Sequence, residues 1–261
     1  MKPIILKIGG SIITHKEKGL PKVNLLNVRR IVKQLVGLNK KFILIHGAGS
    51  FGHPIVKRTG IHKGIRKKKD LVNFAETQRL QNKLNCLITK ELIKKGLPAF
   101  PCQASSQAIM KKGRLIKMDL DVIKGLLKLN VIPVLYGVPA YDIEMGCSIL
   151  SGDQIASFLA KNIKVEKIIM AGDTDGIFTA DPKKNKGAQH VRQINRANFK
   201  KIKRVLAGSS AIDVTGGMAG KVSEIIKIAQ KGVPAQIIDG IKRDNIKKAF
   251  LGQKVGTIIK W

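Results

Sequence analysis

The chain has 261 residues, 44% of them hydrophobic, with three cysteines and 49 Lys plus Arg against 17 Asp plus Glu, a formal net charge of +32. That length suffices for a sizeable core, and no apolar run approaches the roughly 18–20 residues of a membrane-spanning helix. Cys86, Cys102 and Cys147 stand far apart without a C-x-x-C spacing, which argues against a disulfide framework or a cysteine zinc site.

From the N-terminus, "PIILKIGGS" reads as an apolar strand ending in Gly-Gly, with no signal-peptide cleavage pattern before it, so a cytoplasmic protein is expected. Leu25–Leu38 carries Leu25, Val28, Val32, Leu35 and Val36 at helical spacing. "KFILIHGAG" is a second strand running into glycines. Asp70–Lys95 is a long helical stretch stopped by "GLP". "AFPCQ" is a short strand, Asp121–Asn130 a helix and Val131–Gly137 a strand. "SGDQIASFLAKNI" opens a helix with Ser151 or Asp153 near its N-cap. "VEKIIMAGDTDGIF" is a strand followed by an acidic turn, "GGMAGKVSEIIKIAQKG" a glycine turn and helix, and "VPAQIID" a last strand. This alternation predicts an α/β fold with a mainly parallel sheet. Strand after strand ends in Gly or Asp, so the turns that bind ligand lie along the carboxyl edge. No linker divides residues 1–261, which read as one unit: an N-terminal half with one site, and a second site from about Ser151 to Trp261.

The turns carry the chemistry. In "KIGGS", Gly9 and Gly10 let backbone N–H groups approach an anion, beside the charge of Lys7. In "HGAGSFGH", Gly47, Gly49 and Gly52 permit close approach, and His53 follows. This is not a Walker loop, which ends in Lys-Ser/Thr. The acidic residue a dinucleotide fold places about 20 residues on is also absent. In "AGDTDGIF", Asp173 and Asp175 bracket a turn that suits a nucleotide, a lysine or Mg²⁺. "DVTGGMAGK" sets Lys221 on the first turn of a helix, against the dipole, as a nearby anion would favour.

Together, "LKIGGS", "HGAGSFGHP", "LSGDQI", "GDTDG" and "DVTGGMAGK" resemble the amino acid kinase superfamily, and within it the isopentenyl phosphate kinases; "GSFGH" selects that branch. The resemblance runs from Ile4 to Ile259. It implies a three-layer α/β sandwich with a mainly parallel open sheet. It implies transfer of the γ-phosphoryl group of ATP, with Mg²⁺, to isopentenyl phosphate, and a homodimer. By matching position it assigns His53, Lys7, Lys16 and Lys221 to the transfer. Lys7, Ile8, Gly9, Gly10, Ser11, Gly49, Asp173, Phe178, Gly217 and Lys221 go to ATP. Ala48, His53, Gly152 and Asp153 go to the acceptor, and no residue is assigned as a metal ligand. Phe74, Leu80, Leu84 and Leu87 would line the pocket of the isoprenoid tail.

The chemistry of the residues agrees with this. A phosphate monoester has a second pKa near 6 and is largely dianionic at neutral pH, so it needs no strong base. It needs N–H donors and cations to bring two polyanions together. The chain departs from its relatives at Ala48, where they carry glycine, at Gln154, where they carry aspartate, and at Val138. Two other readings stay open. One is a related kinase of another small phosphate or phosphonate, such as a fosfomycin-kinase-like enzyme. The other is a non-catalytic nucleotide- or nucleic-acid-binding protein. The joint presence of Lys7, Lys16, His53 and Lys221 argues against lost catalysis. The basic residues are scattered, the densest run "HKGIRKKKD" is short and aromatics are 4%, so nucleic acid is not the expected ligand.

Overall fold

The structure is a computed structural model that describes residues 1–15, 20–180, 182, 185–208 and 218–261, without the side chains of 205–208, 218–221 and 223. It begins with β1 (Ile4–Ile8), whose five residues are all buried. Ile4, Leu6 and Ile8 point to one face of the central sheet and Ile5 to the other. A strand covered on both faces must be apolar throughout, which is how this one reads. After the short α1 (Gly10–Ile13) comes α2 (Leu25–Leu35), capped by Asn24, whose Oδ1 accepts the Asn27 N–H at 3.0 Å. Its periodic Val28, Ile31, Val32 and Leu35 pack on the Leu6 face.

β2 (Phe42–His46) precedes α3 (His53–Thr59), which ends at Gly60 with φ 72°, the left-handed stop that glycine takes without strain. α4 (Lys68–Ile93) is the longest helix. The buried Asp70 in its first turn accepts the Arg66 and Lys67 N–H groups at 3.0 and 3.1 Å. β3 (Ala99–Pro101) is an edge strand. The chain then makes β4 (Ala108–Lys111) and β5 (Arg114–Met118), α5 (Asp121–Lys128), β6 (Ile132–Tyr136), and the pair β7 (Val138–Asp142) and β8 (Gly146–Leu150). α6 (Gly152–Asn162) leads to β9 (Ile168–Gly172), then β10 (Ile177–Phe178), β11 (His190–Val191), β12 (Gln193–Ile194) and α7 (Phe199–Gly208). α8 (Met218–Ala229), β13 (Ala235–Asp239), α9 (Asn245–Phe250) and β14 (Thr257–Ile259) complete it.

Eight strands form the central sheet in the order β12-β14-β13-β9-β1-β2-β6-β3. From β13 to β3 every pairing is parallel; β14 runs antiparallel to β13, and β12 runs with β14. α2, α4 and α9 cover one face through Leu84, Ile88, Leu92, Ile246 and Phe250, and α5, α6 and α8 cover the other through Ile123, Ile155, Leu159, Ile225 and Ile228. The expected three-layer sandwich is therefore present.

Sequence periodicity did not anticipate a second sheet of four strands, β5-β4-β7-β8. Its strands are short and half exposed, so they lack the continuous apolar run of the central strands. Two turns define it, and one buried carboxylate ties them together. Lys112 and Gly113 have φ 48° and 74°, as a two-residue hairpin turn requires. Asp142 accepts the N–H groups of Lys112 (3.2 Å), Gly113 (2.8 Å), Glu144 (3.0 Å) and Met145 (3.1 Å). Burial alone would raise its pKa, but hydrogen bonds from Gly113, Ser148, Glu144 and Met145 hold the carboxyl down at about 2. Among the described residues no helix is long and apolar enough to cross a membrane.

Candidate active site

The carboxyl ends of β1 and β2 lie side by side, with Ile8 opposite His46. The glycine turns that follow them therefore touch. Gly47 N donates to Ile8 O and Gly9 N donates to Ala171 O, each at 2.8 Å. A Cβ on Gly10 would stand 2.6 Å from Gly49 Cα, and one on Gly49, where φ is +51°, 2.7 Å from Thr14 Cγ2. No side chain fits at either position, because the obstacle is backbone or a β-branched neighbour. Thr14 clamps the pair: its hydroxyl donates to Gly10 O at 2.8 Å and accepts the Ser50 N–H at 3.0 Å. The Ser50 hydroxyl is taken up by the backbone of Lys22, accepting its N–H at 3.1 Å and donating to its O at 3.3 Å.

Lys7 enters from the β1 face that meets α6. It is 8% exposed, and its ammonium lies 2.8 Å from Asp153 Oδ1. Gly152 admits that approach: a Cβ there would meet Ile45 Cγ2 at 3.2 Å and Lys7 Cε at 3.5 Å. Ser151 proves to be the N-cap of α6, accepting the Gln154 N–H at 3.2 Å, so Asp153 lies in the first turn beside the free N–H groups. Lys7, Gly9, Gly10, Gly47, Gly49, Gly152 and Asp153 thus form one group. Ile8 is the buried last residue of β1, and Ser11 lies exposed in α1.

His53 opens α3 directly after Gly52 and is exposed. Ala48 has φ −72° and ψ −34°, a right-handed helical conformation that alanine takes without strain, so the departure from the expected glycine has no backbone cost. Gln154 also has a local explanation. Its Oε1 accepts the Leu115 N–H at 2.9 Å and its Nε2 donates to Gly113 O at 3.1 Å, so the side chain fastens the β4–β5 hairpin.

On the neighbouring strand, Asp173 follows the end of β9, and Phe178 in β10 has its ring 5.0 Å from that of His190. Asp175 holds a lysine, the second of the uses its turn left open: Lys242 Nζ lies 2.6 Å from its Oδ2. Lys16 and Gly217 lie outside the described residues, and Lys221 falls in the first turn of α8 with its side chain outside them.

Two features were not foreseen. His46 is fully buried and stacks on Tyr136, with ring centroids 5.3 Å apart. Burial lowers its pKa to about 4 and keeps it neutral. One ring nitrogen reaches Gly47 O at 3.1 Å and the other Asn85 Nδ2 at 3.2 Å. It is a structural support beneath the glycine turn, and its position at the end of a buried strand was the available signal. The expected apolar tail wall needs correction as well. Leu84 is wholly buried in the α2–α4 core with Leu87 packed against it, while Phe74 and Leu80 are half-buried. The side of α4 that meets Tyr136 is polar: Gln78 donates to Asn82 Oδ1 at 2.8 Å, Tyr136 OH bonds Asn82, and Ser105 donates to Gln78 Oε1 at 3.0 Å.

Among the described residues no three His, Cys, Asp or Glu side chains converge.

The profile of the amino acid kinase family matches residues 2–239. The isopentenyl phosphate kinase of Methanothermobacter thermautotrophicus is 35% identical over 264 residues, covering 98% of each chain. That of Methanocaldococcus jannaschii is 36% identical over 270 residues, covering 98% of this chain and 97% of its own. A solved structure described as "X-ray structures of isopentenyl phosphate kinase" superposes with a TM-score of 0.86 at 33% identity, over 98% of this chain and 99% of that one.

Proposed function

This chain belongs to the amino acid kinase family, and from that premise we propose that it transfers the γ-phosphoryl group of ATP to isopentenyl phosphate, giving isopentenyl diphosphate and ADP. The carrying observation is full-length similarity to isopentenyl phosphate kinases, joined to a "HGAGSFGH" turn whose Gly47 and Gly49 interlock with the "KIGG" turn.

The acceptor oxygen belongs to a phosphate dianion and attacks without a general base. What the reaction demands is charge compensation and alignment. Lys7 faces the phosphates, its direction fixed by Asp153. Lys16 and Lys221 add positive charge by the family correspondence. The N–H groups of Gly9, Gly10, Ser11 and Gly49 donate to phosphate oxygens as charge moves between them. His53 donates a hydrogen bond to the acceptor phosphate and keeps it in line. Ala48 and Gly152 offer backbone on the acceptor side, and Ile8, Asp173, Phe178 and Gly217 border the nucleotide. A magnesium ion, brought in with the nucleotide, would supply further neutralisation of the charge on the moving group. Within one domain, the N-terminal half carries the acceptor phosphate site and residues from about 151 the nucleotide site, with the Lys7–Ser11 turn and Gly49 reaching across to ATP and Gly152 and Asp153 to the acceptor. The resemblance further supports a homodimer in the cytoplasm.

A coupled ADP-release assay with Mg-ATP, offering isopentenyl phosphate, dimethylallyl phosphate and fosfomycin in turn, tests the reading. Turnover on the five-carbon phosphates is expected; turnover on fosfomycin alone would overturn it.

A further inference from the structure

We infer that the cleft between α2 and α9 is a binding site for a small polyanion, a molecule carrying two or more phosphate or carboxylate groups. The cleft has a volume of about 420 Å³ and is lined by Arg30, Lys33, Gln34, Arg243, Asp244 and Lys247. Four cations thus face one carboxylate, and that carboxylate lies 3.5 Å from Arg243 Nε. Among the described residues Lys33 and Lys247 have no carboxylate within ion-pair distance. Like charges gathered on opposite walls repel one another, and an anion between them reverses the sign of every such interaction.

The walls are fixed before any ligand arrives. Gln34 is buried and joins the two helices: its Oε1 accepts the N–H groups of Ile246 and Lys247 at 3.0 and 3.4 Å, and its Nε2 donates to Arg30 O at 3.4 Å. Beneath it, Phe42 and Phe250 pack edge to face with centroids 5.4 Å apart. Arg30 donates to Ile241 O, which anchors the loop that carries Arg243. The two walls therefore hold their backbones at a set spacing, while the exposed cationic side chains, Arg243 among them, close on the ligand.

Size and charge layout select the ligand class. The volume falls in the range of roughly 300–1,000 Å³ typical of small-molecule pockets. Positive charge comes from three separate segments, so a compact ligand with several anionic groups engages more of it than a single phosphate does. Phosphoryl transfer needs cations only around the reacting phosphates, and none of these four belongs to that group. The cleft also shares its loop with the nucleotide side, because Lys242, next to Arg243, holds Asp175 at 2.6 Å.

Equilibrium dialysis with inorganic tripolyphosphate, at constant ionic strength and without Mg²⁺, tests this on wild type, on Lys7→Ala and on Lys33→Gln/Arg243→Gln/Lys247→Gln. Two sites are expected in the wild type. Lys7→Ala should weaken one, and the triple variant should weaken the other by roughly tenfold or more while keeping the wild-type melting temperature. A single site abolished by Lys7→Ala, or equal binding by the triple variant, would overturn the proposal. Tight capture of a single-stranded oligonucleotide without saturable tripolyphosphate binding would overturn it too. Should the triple variant unfold, Lys247→Gln alone must still weaken the second site; unchanged binding in that variant counts against it.

Discussion

Lys7 Nζ and Asp153 Oδ1 lie 2.8 Å apart, one on the central strand and the other in the first turn of the helix that faces it. Lys7 is 8% exposed, so the carboxylate is its chief counter-charge in the free enzyme. Asp153→Ala leaves a nearly buried ammonium unpaired, at a cost of about 3 kcal/mol. ATP phosphates supply the missing negative charge. Thermal denaturation should therefore show a larger ATP-induced rise in Tm for the variant than for wild type; an equal or smaller rise contradicts the pairing.

His53 is exposed at the start of α3, so its removal should leave the fold intact. Loss of one preorganised donor to the acceptor phosphate lowers turnover by roughly 10²–10³-fold. Steady-state assays of His53→Ala with varied acceptor check this, with circular dichroism as the control for folding. Turnover near that of wild type removes the histidine from the mechanism.

Gly10→Ala and Ala48→Gly lie on the two touching turns and should behave oppositely. The Gly10 methyl has no space, since Gly49 Cα would be 2.6 Å away. The turns must separate, with a loss of about 3 kcal/mol and of most activity. Ala48 has ordinary helical angles, so Ala48→Gly costs about 1 kcal/mol or less. Urea denaturation of both variants decides; a well-folded, active Gly10→Ala enzyme refutes the interlock.

Acid should act on two buried groups in succession. His46 has a folded pKa of about 4 against 6.5 when free, so the unfolded chain takes up a proton that the folded one refuses. Its contribution is complete above about pH 6.5 and falls by about 3 kcal/mol as pH drops to 4. Asp142, held at about 2 against 3.8, keeps its contribution above about pH 4 and loses it toward pH 2. Stability measured against pH should decline less steeply between 6.5 and 4 in His46→Gln; an unaltered slope contradicts the assignment.

Gln154 stands where the family resemblance led us to expect aspartate, and its amide holds Gly113 O and Leu115 N. Gln154→Asp shortens the side chain and breaks both contacts, for about 1–2 kcal/mol. Turnover should stay within about threefold of wild type, because the side chain faces the hairpin. A large change in acceptor preference would show that position 154 reads the substrate.

The central strands and their flanking helices were legible because each carries a strong period: buried five-residue runs for β1, β2 and β6, a buried four-residue run in β9, and spaced apolar residues for α2, α5 and α6. The glycine turns and Lys7 could be read because anion binding restricts residue type. The second sheet was not legible. Its register rests on Asp142, whose four backbone partners are set by folding and leave no trace in local composition. Thr14 and His46 were missed for a related reason, since Ser50, which Thr14 ties to Gly10, and Asn85 and Tyr136, which hold His46, are distant in sequence. Leu84 and Leu87 of α4 misled, because a core face and a ligand wall share one period; their packing decided for core.

The most direct measurement is a ³¹P NMR time course of wild-type enzyme with Mg-ATP and isopentenyl phosphate. The account predicts the paired resonances of isopentenyl diphosphate growing in step with ADP. ATP left intact, or cleaved only to ADP and inorganic phosphate while isopentenyl phosphate persists, would contradict it.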